Sequence, residues 1–247
     1  MITTNIFPRP LHFVAHGDGG LLAMTTASRS GINLIDLVNL YLAKEDSQVP
    51  ELIALYYVSQ MLQHLEILHS NCNILHCDVK PDNWVLTKTN ACDSVEGSDL
   101  MLVDFGRSVD LEALDGALPH SVKFKGRATT KDMECVTMRE GRSWSLDLDT
   151  YGLCASAYVM LFGSHMEVYQ VSTTKVWRTS KPLRRYWNRA LWNLLFEKLL
   201  NGGIEESQPK KLREIRSLFE AYLDEDNRRQ HLAVLLKHQA AMLPKIK

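Results

Sequence analysis

Before Lys44 the chain contains no lysine, and before Glu45 it contains no glutamate. That N-terminal stretch therefore cannot set those two charges against a ligand or against each other. Long apolar runs are also missing: the longest, Leu153 to Phe162, falls far short of the ~20 residues a helix needs to cross a bilayer. No basic-then-apolar pattern marks the N-terminus, so secretion is not expected. Neither sign of charge is in excess, with 28 Lys and Arg against 29 Asp and Glu, so no overall field favours nucleic acid or an anionic membrane surface. Cysteine is scarce and odd in number: Cys72, Cys77, Cys92, Cys135 and Cys154 form no paired framework and predict reduced thiols in an intracellular protein. The spacing of His69, Cys72, His76 and Cys77 resembles a zinc site, but the last two belong to a polar loop with its own chemistry, which disfavours the metal reading.

What the 247 residues do contain is enough apolar sequence for one substantial core, burying about 70 to 75% of the unfolded surface. Leu11 to Val14 and Leu21 to Met24 read as strands joined through His16-Gly17-Asp18-Gly19-Gly20. No helix follows to receive a phosphate, so a hairpin turn is favoured over a phosphate cradle. Ile32 to Ala43 carries a helical stripe, and Pro50 to Ser70 carries a stronger one through Leu52, Leu55, Val58, Met61, Leu62, Leu65 and Leu68. Asp147 opens a helix that runs to Phe162, and Tyr186 to Leu200, Lys210 to Tyr222 and Arg228 to Met242 read as three amphipathic helices. Lys175, Arg178, Lys181, Arg184 and Arg185, interleaved with Trp177 and Tyr186, form a basic aromatic run suited either to solvent or to an acidic or phosphorylated partner.

Two motifs carry chemistry. His76-Cys77-Asp78-Val79-Lys80-Pro81-Asp82-Asn83 places an acid, a cation and an amide two, four and seven positions after a histidine, between apolar anchors. Further on, Leu100-Met101-Leu102-Val103 reads as a buried strand that delivers Asp104-Phe105-Gly106 at its end. The intervening Thr87 to Asp99 reads as a surface insertion. From Asp104 a long loop runs through Arg127-Ala128-Thr129-Thr130-Lys131 before periodicity resumes.

Together these resemble the catalytic loop and the metal-binding Asp-Phe-Gly of protein kinases, with Cys77 standing where the family has arginine. The resemblance implies an α+β kinase-like fold, with a truncated small-lobe remnant and hinge over 1–30 and a mainly helical large lobe over 31–247. The catalytic loop spans 76–83 and the activation segment 104–140. It implies Asp78 as the base toward a substrate hydroxyl, Lys80 beside the transferred phosphate, and Asn83 and Asp104 as ligands of the Mg2+ that accompanies ATP. His76, Phe105, Gly106 and Asp147 would brace the site, Asp147 by fastening the catalytic-loop backbone from the start of its helix. Thr129 or Thr130 would contact Asp78 and Lys80, or else stand as exposed loop residues. The family's Ala-Pro-Glu is missing, and Glu134 is a weak stand-in.

Finer details, namely Lys-Pro-Asp-Asn-Trp, the insertion, Glu134-Cys135-Val136-Thr137-Met138 and the run from Tyr151 to Gly163, resemble the Bub family of mitotic checkpoint serine/threonine kinases. That resemblance implies protein substrates, kinetochore and checkpoint partners, and a location in nucleus and kinetochore as well as cytoplasm. Kinases also require a small-lobe lysine, its glutamate partner and a glycine-rich lid ahead of the hinge, and none of these is found before Lys44. The chain alone is therefore expected to be inactive. A noncatalytic module that binds checkpoint partners is the alternative. A small-molecule phosphotransferase is a third reading, opposed by Lys80-Pro81 and Asp104-Phe105-Gly106.

Overall fold

The computed structural model describes residues 7–17, 19–24, 31–87, 99–115, 122–130, 133–201 and 208–243. Residues 88–98 of the insertion expected before the Asp-Phe-Gly strand, and 25–30 of the expected hinge region, lie outside them. The fold is built around α2 (Glu51–Ser70), which follows Pro50 and buries Ile53, Leu55, Val58, Met61, Leu62, Leu65 and Leu68 almost completely. A helix apolar on nearly every side needs neighbours all round. It has them in α5 (Asp147–Phe162), α7 (Gln208–Asp224) and α8 (Arg228–Met242). Each fully buried Leu or Ile contributes about 1.5 to 3 kcal/mol, so α2 is the main source of cohesion. Glu66 on α2 joins α7 through Arg213 at 2.6 Å and Arg216 at 3.0 Å. A further helix, α6 (Arg189–Leu200), packs on α5 and α7 through Trp192, Phe196 and Leu199.

Strands are short and come as two-stranded pairs. At the N-terminal end β1 (Pro10–His16) pairs antiparallel with β2 (Gly19–Met24), turning at Gly17 with φ 56°, so the glycine cluster is a hairpin turn as expected. Leu11, Phe13, Leu21 and Leu22 on this ribbon are half or more exposed. Next comes α1 (Leu34–Glu45), which starts two residues later than its apolar stripe predicts. The reason is local. Asn33 caps the helix, accepting from the Asp36 amide at 2.8 Å while Asp36 accepts from the Asn33 amide at 3.2 Å, and the Ile32 carbonyl is taken by Leu86.

Four further strands frame the polar loops. β3 (Ile74–Leu75) pairs with β6 (Val109–Asp110), and β4 (Trp84–Leu86) pairs with β5 (Leu100–Leu102). Short helices α3 (Leu111–Asp115) and α4 (Val136–Arg139) lie between them and α5. A hairpin the sequence pattern did not reveal, β7 (Val168–Gln170) with β8 (Trp177–Thr179), precedes α6. Its turn is closed by Lys175 at φ 58° rather than by glycine, which removes the usual signal. The basic aromatic run therefore splits. Trp177 enters β8 and donates to Glu140, Lys181 donates to Ser164, and Arg184 donates to Gln48.

The His76–Asn83 loop is held from beneath by α5, and here the structure corrects the sequence expectation. Asp149, not Asp147, fastens the loop: one carboxylate oxygen accepts from the His76 amide at 2.8 Å and the other from the Cys77 amide at 2.9 Å. His69, at the end of α2, reaches the same carboxylate at 2.9 Å, and both side chains are fully buried. Helix geometry explains the shift. Asp149 and Gly152 are three residues apart and share a face, whereas Asp147 lies about 140° further round. Gly152 belongs to that face because an added Cβ would stand 2.1 Å from the Val79 carbonyl oxygen. Asp147 instead accepts from Thr137 and, at 2.7 Å, from the Ser145 amide, closing the end of the activation segment onto the helix start.

This assignment separates two neighbouring carboxylates by stability. Asp149→Asn should lower unfolding free energy by about 3 kcal/mol or more, because a buried acceptor of backbone amides is lost. Asp147→Asn, at a half-buried cap, should cost about 1 kcal/mol. Gly152→Ala should be at least as damaging as Asp149→Asn. Urea unfolding of the three variants checks the order, and equal losses at 147 and 149 would contradict it.

Candidate active site

The ladder between β4 and β5 brings the two motifs together. Trp84 pairs with Leu102, and the Val103 amide donates to the Asn83 carbonyl at 2.9 Å, so Asn83 and Asp104 leave the sheet at the same end. A 3-10 turn at Pro81–Asn83 ends the loop, and a second at Phe105–Arg107 follows Asp104. Asp104 takes the left-handed conformation, φ 64°, and caps that turn by accepting from the Gly106 amide at 3.4 Å. Its carboxylate stays exposed.

Asp78 is 6% exposed and accepts from Lys80 at 2.9 Å and from the Asn83 amide group at 3.3 Å. That same Asn83 nitrogen donates to the Asp78 carbonyl at 2.8 Å. The nitrogen side of the amide is thereby committed to the loop, leaving the oxygen as its coordinating end. Arg107 approaches the other Asp78 oxygen at 3.9 Å, a neighbour that the sequence motifs did not single out. Lys80, 41% exposed, reaches from solvent to a carboxylate that is nearly closed off.

His76 has two different neighbours on its ring. Nε2 donates to the Val103 carbonyl at 3.1 Å, and Nδ1 accepts from the Asp78 amide at 3.3 Å. Only the neutral ring protonated on Nε2 satisfies both. Burial lowers its pKa, which favours that form, although the carboxylates of Asp149, Asp78 and Asp104 pull the other way. Phe105 packs edge-on against the ring, with centroids 4.8 Å apart. His76, Phe105 and Gly106 thus tie the loop to the Asp104 turn.

Cys77 is in the left-handed region, φ 65°, and its thiol faces a small apolar cluster of Leu75, Leu111 and Leu146 with Val122, Phe124 and Trp144. Burial, reinforced by the Asp149 and Asp78 carboxylates, pushes that thiol up to about 12, so it is uncharged at neutral pH. Phe124 and Trp144 exchange backbone hydrogen bonds at 2.8 and 3.0 Å, and their rings stack 5.0 Å apart. The described part of the activation segment is pinned here by apolar packing. Glu134 is buried and pairs with Arg127 of the same segment at 3.3 Å. Thr129 and Thr130 are exposed, and neither hydrogen-bonds Asp78 or Lys80.

Besides Arg107, motif reading missed the brace formed by Asp149 and His69, having set Asp147 rather than Asp149 against Gly152. The Asp-x-x-Gly spacing was the available signal for Asp149.

Comparison with known proteins agrees with this geometry. A family profile described as "Protein kinase domain" matches residues 21–229. The chain is 35% identical over 206 residues to the mitotic checkpoint serine/threonine-protein kinase BUB1 of Arabidopsis thaliana, covering 78% of this chain and 38% of that protein. It is 31% identical over 225 residues to the spindle assembly checkpoint serine/threonine-protein kinase BUB1 of Saccharomyces cerevisiae, covering 83% of this chain and 21% of that one. The chain therefore spans well under half the length of either relative. A crystal structure of a BubR1 kinase domain superimposes with a TM-score of 0.85 at 28% identity, covering 97% of this chain and 68% of the other. The chain belongs to the protein kinase domain family and, within it, is a kinase domain of the Bub type.

Proposed function

We propose that this chain supplies the catalytic large lobe for phosphoryl transfer from MgATP to serine or threonine of a protein, in spindle-assembly checkpoint signalling at the kinetochore. The domain division goes with it: 1–30 as small-lobe remnant and hinge, 31–247 as large lobe. The observation that carries the reading is the Asp78 carboxylate, nearly buried, charge-balanced by Lys80 and oriented by a hydrogen bond from Asn83. A substrate hydroxyl hydrogen-bonded to Asp78 would pass its proton to that carboxylate as its oxygen bonds to the γ-phosphorus of ATP and the bond from that phosphorus to the bridging oxygen breaks, releasing ADP. Lys80 balances charge on the transferred group.

The Asn83 oxygen and the exposed Asp104 carboxylate make an all-oxygen donor set suited to a hard cation, so these residues would hold Mg2+. When bound, the ion neutralises charge between phosphates. The nucleotide grip is a different matter. β1 and β2 carry neither lysine nor glutamate, and most of their exposed described side chains, among them Leu11, Phe13, Val14, Leu21 and Leu22, are apolar. That deficit favours the second reading, a noncatalytic module binding checkpoint partners, for the chain acting alone.

Asp78 as a base is worth about 10²- to 10⁴-fold, but only on a phosphate already in place. Residues 1–247 by themselves should bind MgATP weakly and transfer no measurable phosphate. The same chain joined to a kinase small lobe should become active, with Asp78→Asn, Asn83→Ala and Asp104→Ala each reducing turnover by at least about a hundredfold. Radiolabelled ATP turnover by both forms is the measurement. Robust Asp78-dependent activity from the short chain would overturn the positioning argument, and inactivity of a folded, joined chain would favour the noncatalytic module.

Control of the loop follows from Cys77. A neutral thiol among Leu111, Phe124 and Trp144 cannot grip a phosphate as arginine does, and packing holds the segment instead. Phosphorylation at Thr129 or Thr130 should leave limited-proteolysis protection of residues 122–130 unchanged, whereas Phe124→Ala should abolish it.

A further inference from the structure

A cavity of about 440 Å3 opens beside Asp78, and its walls are unlike its mouth. The catalytic loop from Cys77 to Asp82 forms one side. The opposite walls are Ile35 of α1, Met133 of the activation segment, Leu148, Ala155 and Val159 of α5, and Met166 just beyond α5. The three α5 residues fall on one helical stripe with Gly152, where the Val79 backbone closes the floor. Ile35, Leu148 and Ala155 are only partly covered by the core, so each keeps an apolar face toward the cavity.

Charge on the lining is sparse and already engaged. Among the described lining residues Lys80 is the one Lys or Arg, and it is paired to Asp78. Asp82 and His165 sit at the exposed rim. An acidic substrate residue finds no free cation there, and a basic one finds a single exposed carboxylate. An aliphatic side chain finds walls of matching chemistry, with two methionines that adjust to its shape.

We infer that this cavity selects protein substrates carrying an aliphatic residue, leucine or methionine, within about three positions of the phosphoacceptor, the reach of an extended chain of ~10 Å. Continuity is what commits the cavity to that occupant. Its wall is the loop that presents Asp78, so a polypeptide whose hydroxyl meets Asp78 must pass its mouth. The inference rests on the phosphoryl-transfer reading above. It adds a substrate class: apolar-directed, neither base-directed nor acid-directed. Burying one aliphatic side chain favours binding by about tenfold or more.

The test is fluorescence anisotropy with the 247-residue chain and short serine peptides in which each flanking position is in turn Gly, Leu, Met, Arg or Glu. One flanking position should show about tenfold tighter binding for Leu or Met than for Gly, with no gain for Arg or Glu. Ala155→Phe, which fills the cavity, and Ile35→Ser should each erase that gain while leaving the Gly peptide unchanged. Asp78→Asn should retain it. Should either cavity variant unfold, methyl NMR of Met133 and Met166 replaces it, with shifts on adding the Leu peptide but not the Gly peptide. Uniform affinity across the peptides, a Leu gain that survives both folded variants, or silent methionine methyls overturns the inference. Turnover of the same peptides by a chain carrying a small lobe keeps the two readings apart. Turnover without a leucine preference removes the cavity's role, whereas leucine-dependent binding without turnover sustains it and removes the catalytic reading.

Discussion

Two backbone amides, those of His76 and Cys77, point inward at the start of the polar loop, and a buried amide without a partner costs about 1 to 3 kcal/mol. The Asp149 carboxylate answers both, and His69 steadies it from α2. Because those amides are fixed, Cys77 can keep its left-handed backbone, and the loop that follows turns Asp78 toward Lys80 and Asn83. The site's geometry is thus set from below, by the helix on which the loop rests. Gly152 completes the contact by letting the Val79 carbonyl lie against bare helix.

From that foundation the order of causes is short. The brace fixes the loop, and the β4–β5 ladder fixes Asp104 relative to Asn83. The neutral His76 ring, donating on one side and accepting on the other, links ladder and loop. The activation segment is then attached by packing at Cys77 and by the Asp147 contacts at its far end. Among the described residues none of these links runs through the β1–β2 ribbon, so the loop's geometry is set independently of it.

Much of this was legible in the sequence, for identifiable reasons. The long helices around the core follow apolar periodicity, and α2 and α5 were placed to within a residue or two because nearly every side of them is buried. That Asp78, Lys80 and Asn83 cluster was legible because one short loop carries all three. Asp149 was not, since two aspartates precede Gly152 and only helical phase distinguishes them. The β7–β8 hairpin was hidden because Lys175 rather than glycine takes the left-handed turn. Capping at Asn33 moved the start of α1 because a side-chain hydrogen bond outweighed the apolar pattern.

The β1–β2 ribbon has a consequence for how the molecule behaves in company. Among the described residues β1 and β2 pair only with each other, and a two-stranded ribbon is marginal in water, with outer edges that can take up a passing strand. Leu11, Phe13, Leu21 and Leu22 make those edges sticky, and a formal net charge of −1 gives almost no long-range repulsion between copies. Strand-on-strand growth at rising concentration would therefore start at this ribbon, away from Asp78.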